Sequence, residues 1–184
     1  MKIKKPFSFY HALKGVVCLG LLDAQDANSM LKHGVFVMHL GIRSVFGNNG
    51  RMPSKYTCEG GNVNPPLEII GVPKSAKSLV LIMDDPDVPM GNWDHWIVFN
   101  IKPSVIRIEE NSIPTGGIQA KNSWGRNNYG GPCPPMGVHR YFFKLYALNI
   151  TLNLDSSAKK GDIEKAMQGF ILDKAELVGG YSKE

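Results

Sequence analysis

The run Leu79-Val80-Leu81-Ile82-Met83-Asp84-Asp85-Pro86-Asp87-Val88-Pro89 decides the fold class. Five consecutive apolar residues stopped by Asp84-Asp85-Pro86 predict a strand buried on both faces. Working outward, His95-Trp96-Ile97-Val98-Phe99-Asn100-Ile101, ended by Pro103, predicts a second such strand. Arg140-Tyr141-Phe142-Phe143-Lys144-Leu145-Tyr146-Ala147-Leu148 predicts a third, rich in the aromatic residues that suit a pleated surface. Toward the N-terminus, Val35 to Met38 and Ile42 to Phe46 read as short strands, followed by the turn signal Asn48-Asn49-Gly50.

The punctuation between these runs points the same way. Eleven of twelve prolines fall between Pro53 and Pro135, and twelve of twenty glycines between Gly47 and Gly137. Proline is excluded from helix interiors and central strands, so the middle of the chain reads as short strands joined by long loops. The expected class is mainly β, a sandwich. Near the C-terminus the period changes. Ile163, Ala166, Met167, Phe170 and Ile171 share one helical face, with Asp162 placed as N-cap and Lys174 toward the C-terminal end. One peripheral helix is expected there.

The chain has 184 residues, which suits a single domain, and no apolar stretch long enough for a membrane-spanning helix. Its net charge of +5 is unevenly spread. Residues 1–44 carry Lys2, Lys4, Lys5, Lys14, Lys32 and Arg43 against Asp23 and Asp26, a net of +4, leaving +1 for the rest. A nucleic-acid binder carries its positive field on the folded surface, so that class is set aside. A basic start, the apolar run Val16 to Leu22 and small residues near Ala24 and Ala27 resemble a secretory signal. The expected organisation is a leader over residues 1–34 and a folded domain over 35–184, with periplasmic or secreted residence favoured over cytoplasmic.

Chemistry-bearing residues gather at the ends of the buried strands. Asp84, Asp85 and Asp87 end the first, Trp93, Asp94 and His95 open the second, and Gly130-Gly131-Pro132-Cys133-Pro134-Pro135-Met136-Gly137-Val138-His139 leads into the third. If the strands are neighbours, two histidines and up to three aspartates meet at one sheet edge. Aspartates that close together repel unless something positive balances them. Imidazoles and loop N–H groups could instead bind an anion, more strongly below about pH 6.5, where unperturbed imidazoles charge. Turn chemistry is the plainer reading of the aspartates, because Asp-Pro pairs are turn formers. Zinc could draw on His95, His139, Asp85 and Cys133, yet neither Cys-x-x-Cys nor His-Glu-x-x-His is present. Gly-x-Ser-x-Gly and the phosphate-loop motif are also absent. Cys133 beside a histidine could act as a nucleophile, or simply pack in its loop. Cys58 and Cys133 could pair if the protein is exported and would stay thiols if it is cytoplasmic.

Taken in order, Arg51-Met52-Pro53, Tyr56-Thr57-Cys58, Asn64-Pro65-Pro66-Leu67, Asp85-Pro86-Asp87-Val88-Pro89, His95-Trp96, Asn122-Ser123 with Gly125, the Gly130 to Pro135 loop, His139-Arg140-Tyr141 and Gly180-Tyr181 resemble the phosphatidylethanolamine-binding protein family. Within the family, the chain looks like the bacterial and archaeal Raf-kinase-inhibitor-like branch. The resemblance implies a two-sheet antiparallel β-sandwich with Greek-key features and peripheral helices. It implies a small cavity for phosphate, acetate or a phosphorylated headgroup, lined by Asp85, Asp87, His95, Gly131, Pro132, His139 and Tyr141, with Trp93 at its mouth. Val88 replaces the family's usual alanine, adding bulk near the cavity, and Ile69 replaces an aromatic. A non-catalytic binding protein is implied, without cofactor or metal, that modulates a kinase or protease partner. No stable membrane insertion and no particular oligomeric state follow. The alternative is a hydrolase using a histidine or cysteine of the same cavity.

Overall fold

A computed structural model describes residues 38–89 and 91–183. The expected leader, and residues 35–37 of the first expected strand, lie outside the described residues.

Two sheets form the domain. Strands β1 (Gly41–Ser44), β3 (Leu67–Ile70) and β6 (Arg107–Ile108) make a three-stranded sheet in the order β1-β3-β6. Strands β2 (Gly50–Arg51), β4 (Ser78–Asp85), β5 (Trp93–Ile101), β7 (Ile118–Gln119), β8 (His139–Leu148) and β9 (Ile171–Tyr181) make a six-stranded sheet in the order β2-β9-β8-β4-β5-β7. Among the described residues one α-helix, α1 (Lys160–Met167), precedes β9. The mainly β, two-sheet architecture with a helix near the C-terminus matches the expectation, and every pairing is antiparallel except the two-residue β2 against β9.

All eight residues of β4 are buried because it sits between β5 and β8 and is covered on both faces. Leu79, Leu81 and Met83 face the layer between the sheets, with Ile42, Leu67, Ile69, Phe143 and Leu177. Val80 and Ile82 face the other way, onto a second apolar cluster that includes Ile163 and Met167 of α1. Strand alternation therefore sends neighbouring residues of the apolar run into two different cores.

The C-terminal helix is shorter than its periodicity predicts. It stops at Met167, and Gly169 adopts a positive φ of 78°. Phe170 and Ile171, read as part of the helical face, lie outside it and are exposed; Ile171 begins β9 and Lys174 lies within it. Pairing along the whole of β8 overrides the local helical period. Asp162 is not the N-cap but the third residue in, accepting the Lys159 backbone N–H at 2.9 Å.

Candidate functional site

The site stands where β4 ends and β5 and β8 begin. Because β4 lies between the other two strands, the expected convergence occurs. Alternation then separates the aspartates. Asp84 faces the helix side, fully buried, with Lys144 at 2.8 Å and Lys160 at 2.5 Å. Asp85 faces the opposite side and accepts a 2.8 Å hydrogen bond from Nδ1 of His139. Asp87, in the loop, receives the Arg140 backbone N–H at 2.8 Å and its guanidinium at 2.7 and 3.0 Å. Each carboxylate thus has its own basic partner, which resolves the repulsion read from the sequence.

His95 reaches the site through a break in register. Met83 pairs with Trp96 and Asp84 with Asp94, so His95 is the extra residue of a β-bulge. A bulge re-aims one side chain while the flanking ladder continues. The ring is anchored from Nδ1, which donates to the Gly130 carbonyl at 2.7 Å, while the Gly130 N–H donates to the His95 carbonyl at 3.1 Å. Only Nε2 is left to meet a ligand. Burial holds the His95 imidazole below the ordinary histidine range. Burial therefore opposes charging of the His95 ring as pH falls through 6.5, against the expectation that both rings charge there.

Aromatic rings wall the space. Trp93 meets Trp124 edge to face at 5.4 Å, Trp124 meets His95 at 5.1 Å, and His95 meets Tyr141 at 5.1 Å. Trp124 approaches Gly130 so closely that a Cβ there would lie 2.4 Å from the indole. Its loop is organised by buried Asn122, whose Oδ1 accepts the N–H groups of Trp124 and Arg126. Tyr141 is completely buried, and its hydroxyl, close to Asp85 and to the Cys133 backbone, forms no well-aligned hydrogen bond within the protein. Desolvation, and next the Asp85 charge, push its phenol well above the usual range, so it remains a donor at neutral pH.

These groups line an open cavity of about 650 Å³. Of the residues expected at it, Asp85, Trp93, His95, His139 and Tyr141 line it. Asp87, Gly131 and Pro132 do not. Asp87 is turned away by its clamp on Arg140. Gly131 packs against Tyr56 and Asn62, where a Cβ would stand 2.6 Å from the Tyr56 carbonyl oxygen, and the Pro132 carbonyl accepts the Cys58 N–H at 3.0 Å. Val88 does line the cavity, so its bulk beyond alanine is felt there. Trp124 was missed by sequence reasoning; the available signal was an indole in a loop of Asn and Gly.

Cys133 also lines the cavity, and its sulfur is bonded to Cys58. The thiolate that a cysteine hydrolase requires is thereby removed. Among the described residues, no cluster of three His, Cys, Asp or Glu side chains is arranged to hold a metal ion, and no helix is long and apolar enough to cross a membrane.

The family model for phosphatidylethanolamine-binding protein matches residues 43–182, which span all nine strands of the described residues except the first two residues of β1. The chain belongs to the phosphatidylethanolamine-binding protein family. This family member is 50% identical over 143 residues to a UPF0098 protein of Methanothermobacter thermautotrophicus, covering 75% of this chain and 95% of that one. It is 51% identical over 157 residues to a UPF0098 protein of Pyrococcus horikoshii, covering 80% and 78%. Among solved structures it resembles the putative phosphatidylethanolamine-binding protein homologue CT736 of Chlamydia trachomatis, with TM-score 0.77, 40% identity and coverage of 80% and 99%. It also resembles YbcL of E. coli, described as a member of the mammalian family, with TM-score 0.74, 29% identity and coverage of 79% and 99%.

Proposed function

We propose that this protein is a non-catalytic binding module whose cavity takes a single oxyanion, free phosphate or the phosphoryl group of a headgroup. The observation that carries this reading is the Tyr141 hydroxyl, a fully buried donor with no well-aligned hydrogen bond in the protein. An unsatisfied buried donor costs about 1–3 kcal/mol, which an acceptor oxygen in the cavity recovers. His139, braced by Asp85 through Nδ1, presents its Nε2 beside this donor, and the Nε2 of His95 accepts the proton of a partly protonated phosphate. Apolar residues also line the cavity, including Val88, Pro89 and Trp124, as suits a pocket that takes up a headgroup.

Occupancy of the cavity then tunes contacts with a protein partner of the kinase or protease class. Met136 and Val138, 82% and 68% exposed on the segment between the cavity wall and His139, offer apolar surface for that contact. Export belongs to the same reading, because an oxidising compartment sustains the Cys58–Cys133 bond.

Calorimetric titration of inorganic phosphate into the parent, His95→Ala and His139→Ala proteins tests the cavity. Binding by the parent and its loss in both variants is expected. Equal affinity in all three overturns the assignment, and turnover of a phosphoester that disappears in His139→Ala would promote an enzyme instead.

A further inference from the structure

The Cys58–Cys133 disulfide is a shared wall. Cys133 lines the anion cavity, and both cysteines line a neighbouring cleft of about 260 Å³ that contains Trp124 and Arg126. Neither cysteine lies in a strand, and both are exposed to solvent. Exposed disulfides are the labile ones, whereas structural disulfides resist reduction.

The hydrogen bonding around this bond is one-sided. Before Cys133 the loop is well tied: Gly130 N–H to the His95 carbonyl at 3.1 Å, Gly131 N–H to Asn62 Oδ1 at 2.7 Å, and Cys58 N–H to the Pro132 carbonyl at 3.0 Å. After it, residues 134–138 form no hydrogen bond with the rest of the described chain. Yet Pro134 and Pro135 are wall residues of the cavity, and His139 follows directly. The disulfide is therefore the covalent pin that holds this wall against the tied segment.

From this arrangement we propose that thiol–disulfide exchange at Cys58–Cys133 gates the oxyanion cavity: the oxidised protein has a closed wall and binds, and the reduced protein has a loose wall and binds weakly. The proposal rests on the anion reading above. The co-reactant is a dithiol. One of its thiolates attacks a cysteine sulfur, a mixed disulfide forms, and the protein S–S bond breaks with the other cysteine leaving as a thiolate. The second thiol of the reductant then resolves the mixed disulfide. Two electrons and two protons pass to the protein, which ends with two thiols, while the reductant ends as a disulfide. Arg126 places a cation in the cleft that both cysteines line. The sheets survive because the ladders of β4, β5, β8 and β9 do not pass through either cysteine. Ligand affinity is thus coupled to the redox state of the compartment, and oxidation completes the cavity.

The test uses the full chain carrying Cys18→Ser, so that thiol counts report this pair alone. Inorganic phosphate is titrated calorimetrically into the air-oxidised protein, into protein reduced with dithiothreitol under native conditions, and into the Cys58→Ser/Cys133→Ser variant. Far-ultraviolet circular dichroism verifies that all three retain their sheets. The expected result is two thiols after reduction and affinity weaker by about tenfold or more, as when the competent wall falls below a tenth of the population. Reoxidation restores the affinity, and the double-serine variant binds weakly under both conditions. Two thiols with unchanged affinity overturn the gate while leaving the anion site standing. Failure of dithiothreitol to release thiols from the folded protein overturns the gate as well. An oxidised protein that binds no phosphate overturns the anion reading itself.

Discussion

Nδ1 of His139, the first residue of β8, donates to Oδ2 of Asp85, the last residue of β4, across 2.8 Å and 54 positions of sequence. Both side chains are nearly buried, at 10% and 3% exposure. His139→Ala strands the carboxylate in low-dielectric surroundings, which costs about 3 kcal/mol. Adding Asp85→Asn removes the stranded charge. Urea unfolding of the parent, the two single variants and the double variant should give a double-mutant coupling above about 1 kcal/mol. Additive effects would mean that the pair is not coupled.

Tyr141→Phe should separate stability from binding. The hydroxyl forms no well-aligned hydrogen bond in the protein, so its removal leaves the melting temperature unchanged or higher. Phosphate affinity should fall about tenfold, the worth of one hydrogen bond to a charged oxygen. Calorimetry and thermal unfolding on one preparation check both signs; a drop in stability with intact affinity would place the hydroxyl's partner inside the protein.

Asp84 binds the sheet to the helix. Its carboxylate is fully buried between Lys144 and Lys160. Asp84→Asn leaves two cations facing a neutral amide, and denaturant unfolding should show a loss of about 3 kcal/mol. Replacing the three residues together with Leu, Met and Met should recover most of it, because apolar isosteres of buried ion clusters are often neutral or better.

Acid should act in two windows. Burial keeps the folded His95 ring below its unfolded pKa, so the unfolded chain binds a proton first. Stability contributed by the neutral ring is whole above about pH 7 and declines as pH falls below about 6.5. The Arg140 guanidinium, hydrogen-bonded to Asp87, lowers that carboxyl to about 2. Its contribution is whole above about pH 4 and is lost as pH falls toward 2. Melting temperatures from pH 8 to 2 should show a shallower upper decline in His95→Gln and a shallower lower decline in Asp87→Asn. Profiles parallel to the parent's in both variants would contradict these assignments.

The strand-forming runs were legible because they are local. Leu79 to Met83 encodes burial on both faces, and Arg140 to Leu148 encodes a pleated aromatic strand whatever its neighbours. The Asp, His and Gly-Pro motifs were legible as strand ends, and the adjacency of β4, β5 and β8 brought them together. Three things were not legible. The His95 bulge depends on how β5 counts against β4. The conversion of Phe170 and Ile171 from a helical face to a strand start depends on β8. The outward turn of Asp87 depends on Arg140, 53 residues away.

The amino-acid order alone settled that the three apolar and aromatic runs of β4, β5 and β8 are strands and which polar residues stand at their ends, since side-chain period and proline placement act within a few residues of chain. Tertiary structure alone decided which of these polar residues share a space. One position of register carries a side chain to the opposite face, so Asp84 went to the lysines beside the helix and Asp85 to His139. That register is set by partners distant in the chain, and no local pattern encodes it.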